Sequence, residues 1–188
     1  MAGSNQGDAQ TGNYQKYCYN NNLSICETDG GLYQWHIVMG FPYSCNSVSF
    51  AATGSTSCGG TVYTIDDKHQ GICPIGYHIP SDDEWHTLEL CLTNPGQVCI
   101  ATRVGVGECS PANTRLKVGG SSGFLGVIAG YGGQGELPVR RGYNWLYMSV
   151  TEAGSTSIMD RYIYSFNDDL RRNPYYKTMG QTVRCLKD

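Results

Sequence analysis

The chain has 188 residues, 40% of them hydrophobic, and a formal net charge of −3. That length supports one substantial core, and the slight acidic balance excludes a dedicated nucleic-acid binder, which would carry a strong basic surplus. Nine cysteines, none in a CxxC pair, beside 25 glycines and 14 tyrosines suit an oxidising compartment better than a zinc site or a cytosolic redox motif.

Residues 1–15 read as a disordered tail or an expression scar, with Met1-Ala2-Gly3-Ser4 typical of the latter. An export signal or anchor is then expected to have been cut away. The chain does not open on a basic-then-apolar signal peptide, and no run reaches the ~20 apolar residues of a membrane helix. Beyond Gly30-Gly31, residues Leu32, Trp35, Val38 and Met39 recur at spacings of three and four, which predicts one amphipathic helix. Loop excursions are expected near 41–62, rich in Ser, Thr, Gly and Cys, and near 94–113.

A second helix is predicted from Ser81. Pro80 breaks what precedes it, the Ser81 hydroxyl can cap the first turn, and Glu84 completes a capping box. Asp82 and Asp83 suit the positive helix end. Trp85, Leu88 and Leu92 share one face, and Asn94-Pro95-Gly96 ends the helix. From 97 to 143 the chain is Gly-rich, with short segments at 124–128 and around Tyr131. The run from Gly130 to Gly135 does not lie between a strand and a helix start, so it reads as a flexible turn rather than a phosphate loop. Arg161 to Phe166 fits a strand, as does Gln181 to Leu186. The pattern is α+β: two helices, short antiparallel strands and long irregular loops in a single domain over 16–188.

Few residues propose chemistry. His36, His69, His78 and His86 are widely spaced without a HxxxH pair, and His78 and His86 read as loop and helix-surface residues. Asn167-Asp168-Asp169 offers oxygen ligands of the kind calcium takes, but reads as a solvated turn. No obligatory metal and no cofactor are expected. The segment 143–181 is different. Tyr143, Trp145, Tyr147, Tyr162, Tyr164, Phe166, Tyr175 and Tyr176 are interleaved there with Arg161, Arg171, Arg172, Asn167 and Asn173. Tyrosine brings large contact area at low entropy cost, and Asn and Arg adapt their hydrogen bonds, so binding surfaces favour this mixture. If Ile163 points inward so does Ser165, leaving Tyr162, Tyr164 and Phe166 on the other face. An exposed aromatic row of that kind calls for a partner. The competing reading places half of these rings in the core.

Seven segments occur in an order that resembles one family. They are Lys16-Tyr17-Cys18-Tyr19-Asn20-Asn21; Gly31-Leu32-Tyr33-Gln34-Trp35; Gly71-Ile72-Cys73-Pro74 with His78-Ile79-Pro80-Ser81 and Glu84-Trp85; Thr114-Arg115-Leu116-Lys117 with Gly123-Phe124; Ala129-Gly130-Tyr131; Ser149-Val150-Thr151-Glu152; and Val183-Arg184-Cys185. Together they resemble the Fibrobacter succinogenes major paralogous domain family. The resemblance implies a C-type-lectin-like fold, of the branch that includes the formylglycine-generating enzymes. It also implies kinship with targets of diversity-generating retroelements, which mutate adenines in one C-terminal segment to vary a ligand-binding surface.

The chain departs from the family pattern at Leu146-Tyr147-Met148 and at Gly180-Gln181-Thr182, where such variation would act. An Asn codon with randomised adenines reaches Tyr147, Asp160, Tyr162, Tyr164, Phe166, Asn167, Asp168, Arg171, Asn173, Tyr175 and Tyr176, which form the expected ligand-binding set. Met148, Met179 and Gln181 cannot be reached that way. The enzyme reading would need two reactive cysteines close in sequence in the C-terminal half, and only Cys185 lies beyond Cys109. The Glu-Pro-Asn or Gln-Pro-Asp loop of calcium-dependent lectins is also absent.

Placement inside two family-like segments pairs Cys73 with Cys185. Cys18 and Cys26 flank a short polar loop, Cys45 and Cys58 bracket a Ser/Gly-rich excursion, and Cys99 and Cys109 bracket another. Cys91, near the apolar face of the second helix, is left as a buried free thiol. Trp145, Glu152 and Arg184 occupy framework-like positions that brace the loops. The expected protein is a secreted or cell-surface binder of a protein or glycan, without nucleic acid, membrane segment or catalysis. Its rival is a structural surface or pilus-associated protein with a fixed interaction surface.

Overall fold

The computed structural model describes residues 16–51, 54–133 and 136–188; the expected tail at 1–15 lies outside them. Four α-helices are found there: α1 (Leu23–Asp29), α2 (Trp35–Met39), α3 (Asp82–Leu92) and α4 (Ala112–Leu116). Sequence periodicity anticipated two. The stripe from Leu32 to Met39 divides: Leu32 and Tyr33 form isolated bridges to Tyr17 and Gln181, and the helix begins only at Trp35. Asn22 caps α1 by accepting from the Ser24 amide, a start signal carried by the run Asn20-Asn21-Asn22. At α3 the capping box forms as the sequence requires, with Ser81 and Glu84 exchanging side-chain and backbone bonds.

Eleven short strands follow in the order β1 (Ser55–Cys58), β2 (Thr61–Thr64), β3 (Tyr77–His78), β4 (Gly107–Glu108), β5 (Tyr131–Gly133), β6 (Glu136–Val139), β7 (Asn144–Gly154), β8 (Ser157–Tyr164), β9 (Leu170–Tyr176), β10 (Met179–Gly180) and β11 (Leu186–Lys187). They form four antiparallel sheets, of which β4-β9-β8-β7 is the largest. The expected excursion at 41–62 contains regular structure: a 3-10 turn at Tyr43–Ser47 and the β1–β2 hairpin. Gly130 to Gly133 is not a flexible turn. Tyr131–Gly133 is a strand, paired with β6 on one side and β10 on the other; Gln134 and Gly135 lie outside the described residues. Glycines flank Tyr131 because the backbones close in. A Cβ on Gly130, which sits at φ +76, would lie 2.2 Å from the Val139 carbonyl, and one on Gly132 would lie 2.5 Å from Pro138 Cα. The expected strand from Gln181 to Leu186 is broken: Gln181 and Thr182 bridge Tyr33 and Tyr147, and only Leu186 and Lys187 pair with β3.

All four disulfides fall where the sequence places them: Cys18–Cys26, Cys45–Cys58, Cys73–Cys185 and Cys99–Cys109. Cys91 is free but exposed, contrary to expectation. The inward stripe of α3 is Trp85, Leu88, Glu89 and Leu92, and a residue six places after Trp85 falls off it. Around Trp85 that stripe packs on Trp145, Tyr147, Ile163, Leu170 and Leu116; a second cluster gathers Trp35, Phe41, Phe50, Met148 and Ile158.

Glu89 is the anomaly of the stripe, a fully buried carboxylate. Arg161, also fully buried, donates its Nε to Glu89, its Nη1 to Asp82 at 2.6 Å and its Nη2 to the Asp82 carbonyl at 2.9 Å. Arg172 pairs with Asp82 through Nε and Nη2 at 2.7–2.9 Å, and Arg103 reaches Glu89 at 2.9 Å. Three guanidiniums on β8, β9 and the 94–111 loop thus converge on two carboxylates of one helix. Burial raises the Asp82 carboxyl, and the Arg172 and Arg161 bonds more than reverse that, leaving it below its ordinary value.

Removing Arg161 takes its counter-charge and three hydrogen bonds from the network, leaving Asp82 with Arg172 alone and Glu89 with Arg103 alone. Arg161→Met is expected to destabilise the oxidised protein by about 3–5 kcal/mol, read as a lowered urea midpoint. A loss under ~1 kcal/mol would show that the network carries little of the docking of α3.

Candidate ligand-binding surface

The β7–β8–β9 register sorts the expected binding residues by face. Tyr147 lies opposite Arg161, and Asn144, Leu146 and Met148 lie opposite Tyr164, Tyr162 and Asp160; Arg171 and Asn173 of β9 lie opposite Tyr162 and Asp160. With a period of two, Trp145, Tyr147, Arg161 and Ile163 face α3, while Asn144, Asp160, Tyr162, Tyr164, Arg171, Asn173 and Tyr175 share the opposite face.

On that face five rings form an unbroken belt. Tyr175 meets Tyr131 edge-on at 5.7 Å, and Tyr131 and Tyr175 both approach Tyr162, at 6.3 and 6.4 Å. Tyr162 meets Tyr164 at 4.8 Å, and Tyr164 meets Phe166 at 5.4 Å. Spacings of this size with tilted planes are those of stabilising aromatic pairs. Tyr131, Tyr162, Tyr164 and Tyr175 are half-buried, while Phe166 is 72% exposed. Arg171 lies over the Tyr164 ring at 5.0 Å, and the Asn144 amide donates to the Tyr162 hydroxyl at 2.7 Å. Burial, reinforced by the neighbouring Tyr131, pushes the Tyr162 and Tyr175 phenols well up, so both remain hydroxyls. Tyr131 escaped sequence reading because glycines surround it and no alternation marks it.

Two expected binding residues are corrected to core. Tyr147 is 3% exposed, its ring packed against Trp85, Phe124 and Trp145 at 5.3–6.0 Å, and only its edge reaches a small cleft of about 260 Å³ beside Arg184. It sits on the helix-facing side of β7, where strand alternation must put it. Asp160 is fully buried although it shares the belt face, because Gln181 and Tyr175 come up against it. Neither of its oxygens has a hydrogen-bond partner of acceptable geometry, although Gln181 lies near enough to favour the ionised form. Burial dominates and raises the carboxyl well above the usual range.

The other residues are dispersed. The Asn167 carbonyl accepts from Asn113 and Lys117, fixing the β8–β9 turn, and Asp168 accepts from Thr114. Asn173 accepts from the Gly105 amide at 2.8 Å, and Tyr176 is 57% exposed at the strand end. Of the framework residues, Trp145 is core, and Glu152 and Arg184 brace loops. Glu152 accepts from the Phe50 amide at 2.6 Å and pairs with buried Lys177, and Arg184 covers the Phe124 ring and donates to two carbonyls.

His78 is buried rather than a loop-surface residue. It lies between Glu84 at 2.9 Å and Asp188 at 2.7 Å; burial lowers its pKa, but the two carboxylates raise it by more. His86 is half-buried beside Glu89. Among the described residues, His86, Glu89 and Cys99 bring potential metal ligands within 4.8 Å of one another, but Cys99 is in its disulfide and Glu89 holds two arginines. No described helix is long and apolar enough to cross a membrane.

Two substitutions test the sorting. Tyr147→Ala should cost about 3–5 kcal/mol, as large aromatic truncations in cores do, whereas Tyr164→Ala should stay within about 1 kcal/mol; thermal unfolding compares them. Asp160 gives a pH signature. The folded chain holds its proton to higher pH than the unfolded chain, so stability is lost as pH rises from the ordinary carboxylate range through the raised value. Asp160→Asn should remove this slope, its advantage over the parent growing as pH rises above the ordinary carboxylate range. A parallel pair of stability curves would mean that Asp160 is ionised in the fold.

No curated protein sequence and no solved structure matches the chain. The sequence profile of the Fibrobacter succinogenes major domain matches residues 3–187, nearly the whole length, and the chain belongs to that family.

Proposed function

We propose that this protein is a recognition module, exported or displayed at the cell surface, whose C-terminal segment carries a binding surface open to diversification. The observation that carries the reading is the aromatic belt of Tyr131, Tyr162, Tyr164, Phe166 and Tyr175, lying on the sheet face turned away from α3. Large rings with polar tips, joined by Arg171 and Asn173, have the composition that binding hot spots favour. The rigid back of the same strands, held by buried ion pairs, keeps the rings in place before a ligand arrives and so lowers the entropy lost on binding.

Four disulfides favour an oxidising location. A C-type-lectin-like reading of the fold draws support from β11 closing onto β3 beside Cys73–Cys185, and from the β7–β8–β9 meander above α3. Diversification draws support from the positions themselves. Tyr162, Tyr164, Phe166, Arg171 and Asn173, all reachable from an Asn codon by adenine change, lie on or beside one accessible face, while unreachable Met148 and Gln181 are buried. No catalysis is proposed.

The reading is tested by displaying a library randomised at Tyr164, Phe166, Arg171, Asn173 and Tyr175 on yeast. Most members are expected to resist protease, since substitutions on a half-buried face outside the core cost far less than core truncations. Different members should be captured by different probes from a panel of unrelated soluble proteins and oligosaccharides. Widespread loss of protease resistance, or a folded library from which no probe captures anything beyond the parent's background, would overturn it.

A further inference from the structure

We infer that the cleft between Tyr43 and Tyr176 is a subsite for one neutral sugar ring, which makes a glycan the ligand class of the proposed recognition surface. The inference rests on that proposed surface and adds a second, separate site to it. The cleft measures about 260 Å³ and brings together Tyr43, Ser44 and Ser47 from the N-terminal part with Thr156, Tyr176 and Thr178 from the C-terminal part. It is smaller than the ~300–1,000 Å³ pockets of drug-sized ligands, as fits a single ring of a longer chain.

Its chemistry is selective. None of its lining residues is charged; a larger cleft of about 650 Å³ is by contrast lined by residues that include Asp66, Asp67, Asp83, Glu84 and Glu152. Its lining is mainly apolar surface that includes two phenol rings, with polar atoms supplied by serine, threonine and tyrosine hydroxyls and by Asn46. A pyranose presents the matching pattern, with C–H groups on its faces for aromatic stacking and hydroxyls around its rim. A cationic or anionic group would find no counter-charge here.

Both walls are pinned. The Tyr43–Ser47 turn is held by Cys45–Cys58 and by the buried Asn46 side chain, which accepts from the His36 amide and meets the His36 ring at 2.9 Å. Tyr43 packs edge-on against His36 at 5.3 Å. On the other side the Lys177 amide donates to the Thr156 carbonyl at 2.9 Å, and its buried ammonium is tied to Glu152 and to the Val48 carbonyl. Tyr176 is therefore held between a fixed Lys177 and Tyr175, whose ring lies 6.2 Å away. That contact sets the cleft wall beside the last ring of the belt.

The experiment titrates the full oxidised chain with neutral cello-, xylo-, manno- and chito-oligosaccharides, from mono- to hexasaccharide, by calorimetry. At least one series is expected to bind, with affinity rising with length. Tyr43→Ala and Tyr176→Ala should each weaken it at least about tenfold, a hot-spot loss of about 1.4 kcal/mol. Tyr176→Phe should retain most of it, because the stacking face survives. Both rings are exposed, so unchanged thermal unfolding will confirm that the variants fold. If Tyr43→Ala and Tyr176→Ala weaken oligosaccharide binding while Tyr164→Ala and Phe166→Ala do not, the subsite stands and the belt reading fails. If no oligosaccharide binds, or binding ignores Tyr43 and Tyr176, the glycan inference is overturned, and capture of a protein probe sensitive to Tyr164 would leave the belt reading in place.

Discussion

Arg161 occupies the point on which the sheet and helix α3 depend. Its guanidinium is fully buried and lies between Asp82 in the first turn and Glu89 in the third, so one side chain fixes both the position and the rotation of the helix. Arg172 and Arg103 complete the set from β9 and from the long loop. Such networks contribute less to net stability than their contacts suggest, because each ion is taken out of water. Their stronger effect is on alternatives: a shift of register on β8 would turn Arg161 outward and leave buried Asp82 with Arg172 alone and buried Glu89 with Arg103 alone. The belt-facing side of β8 is specified by the same constraint, since alternation makes one face follow from the other.

That coupling explains how a surface rich in exposed rings can coexist with a single fold. An aromatic row on an ordinary strand edge invites register slip and aggregation. Here β8 is central in its sheet, paired on both sides, and its reverse face is held by charge and by Ile163 in the Trp85 cluster. The residues that face outward are then relieved of a folding role, and their identities can answer to a partner. Tyr162 is a partial exception, because the Asn144 amide bonds its hydroxyl and ties it into the sheet.

Much of this was legible in the sequence, and the failures have physical causes. The α3 start was readable because capping is local chemistry over four residues, three disulfides because each pair brackets one short loop, and Cys73–Cys185 only through the family-like segments that hold the two cysteines. The Tyr162–Tyr164–Phe166 face was readable because Ile163 fixed the alternation. Tyr147 was misassigned by letting residue type outweigh position: it follows Trp145 at a spacing of two, and that spacing already put both rings on one face. Asp160 shares a face with Tyr162, yet it is buried by Gln181 and Tyr175, contacts distant in sequence that no strand pattern encodes. Cys91 failed on angle alone, since six residues beyond Trp85 is a different side of a helix. Tyr131 had no local signal, because its place in the belt comes from a strand between glycines whose partners lie across the chain.

The two walls of the Tyr43–Tyr176 cleft extend the same logic to long range. One belongs to a turn pinned by Cys45–Cys58, the other to the β7–β8 turn and the end of β9 with Thr178 beyond it, and neither segment predicts the other. They meet because Lys177 is drawn into the core, its ammonium over the Trp35 ring at 4.2 Å and bonded to Glu152 and Val48. A buried lysine is costly unless every proton finds an acceptor, so its position is closely determined, and with it that of Tyr176 beside it. Burial lowers its pKa below the ordinary value, and the adjacent Glu152 carboxylate offsets only part of that. Glu152 also accepts from the Phe50 amide, which fastens the N-terminal half to the same point. The cleft thus inherits its shape from one buried ion pair, just as the belt inherits its orientation from Arg161. In both places an internal charge sets the geometry of a surface that carries no charge network of its own.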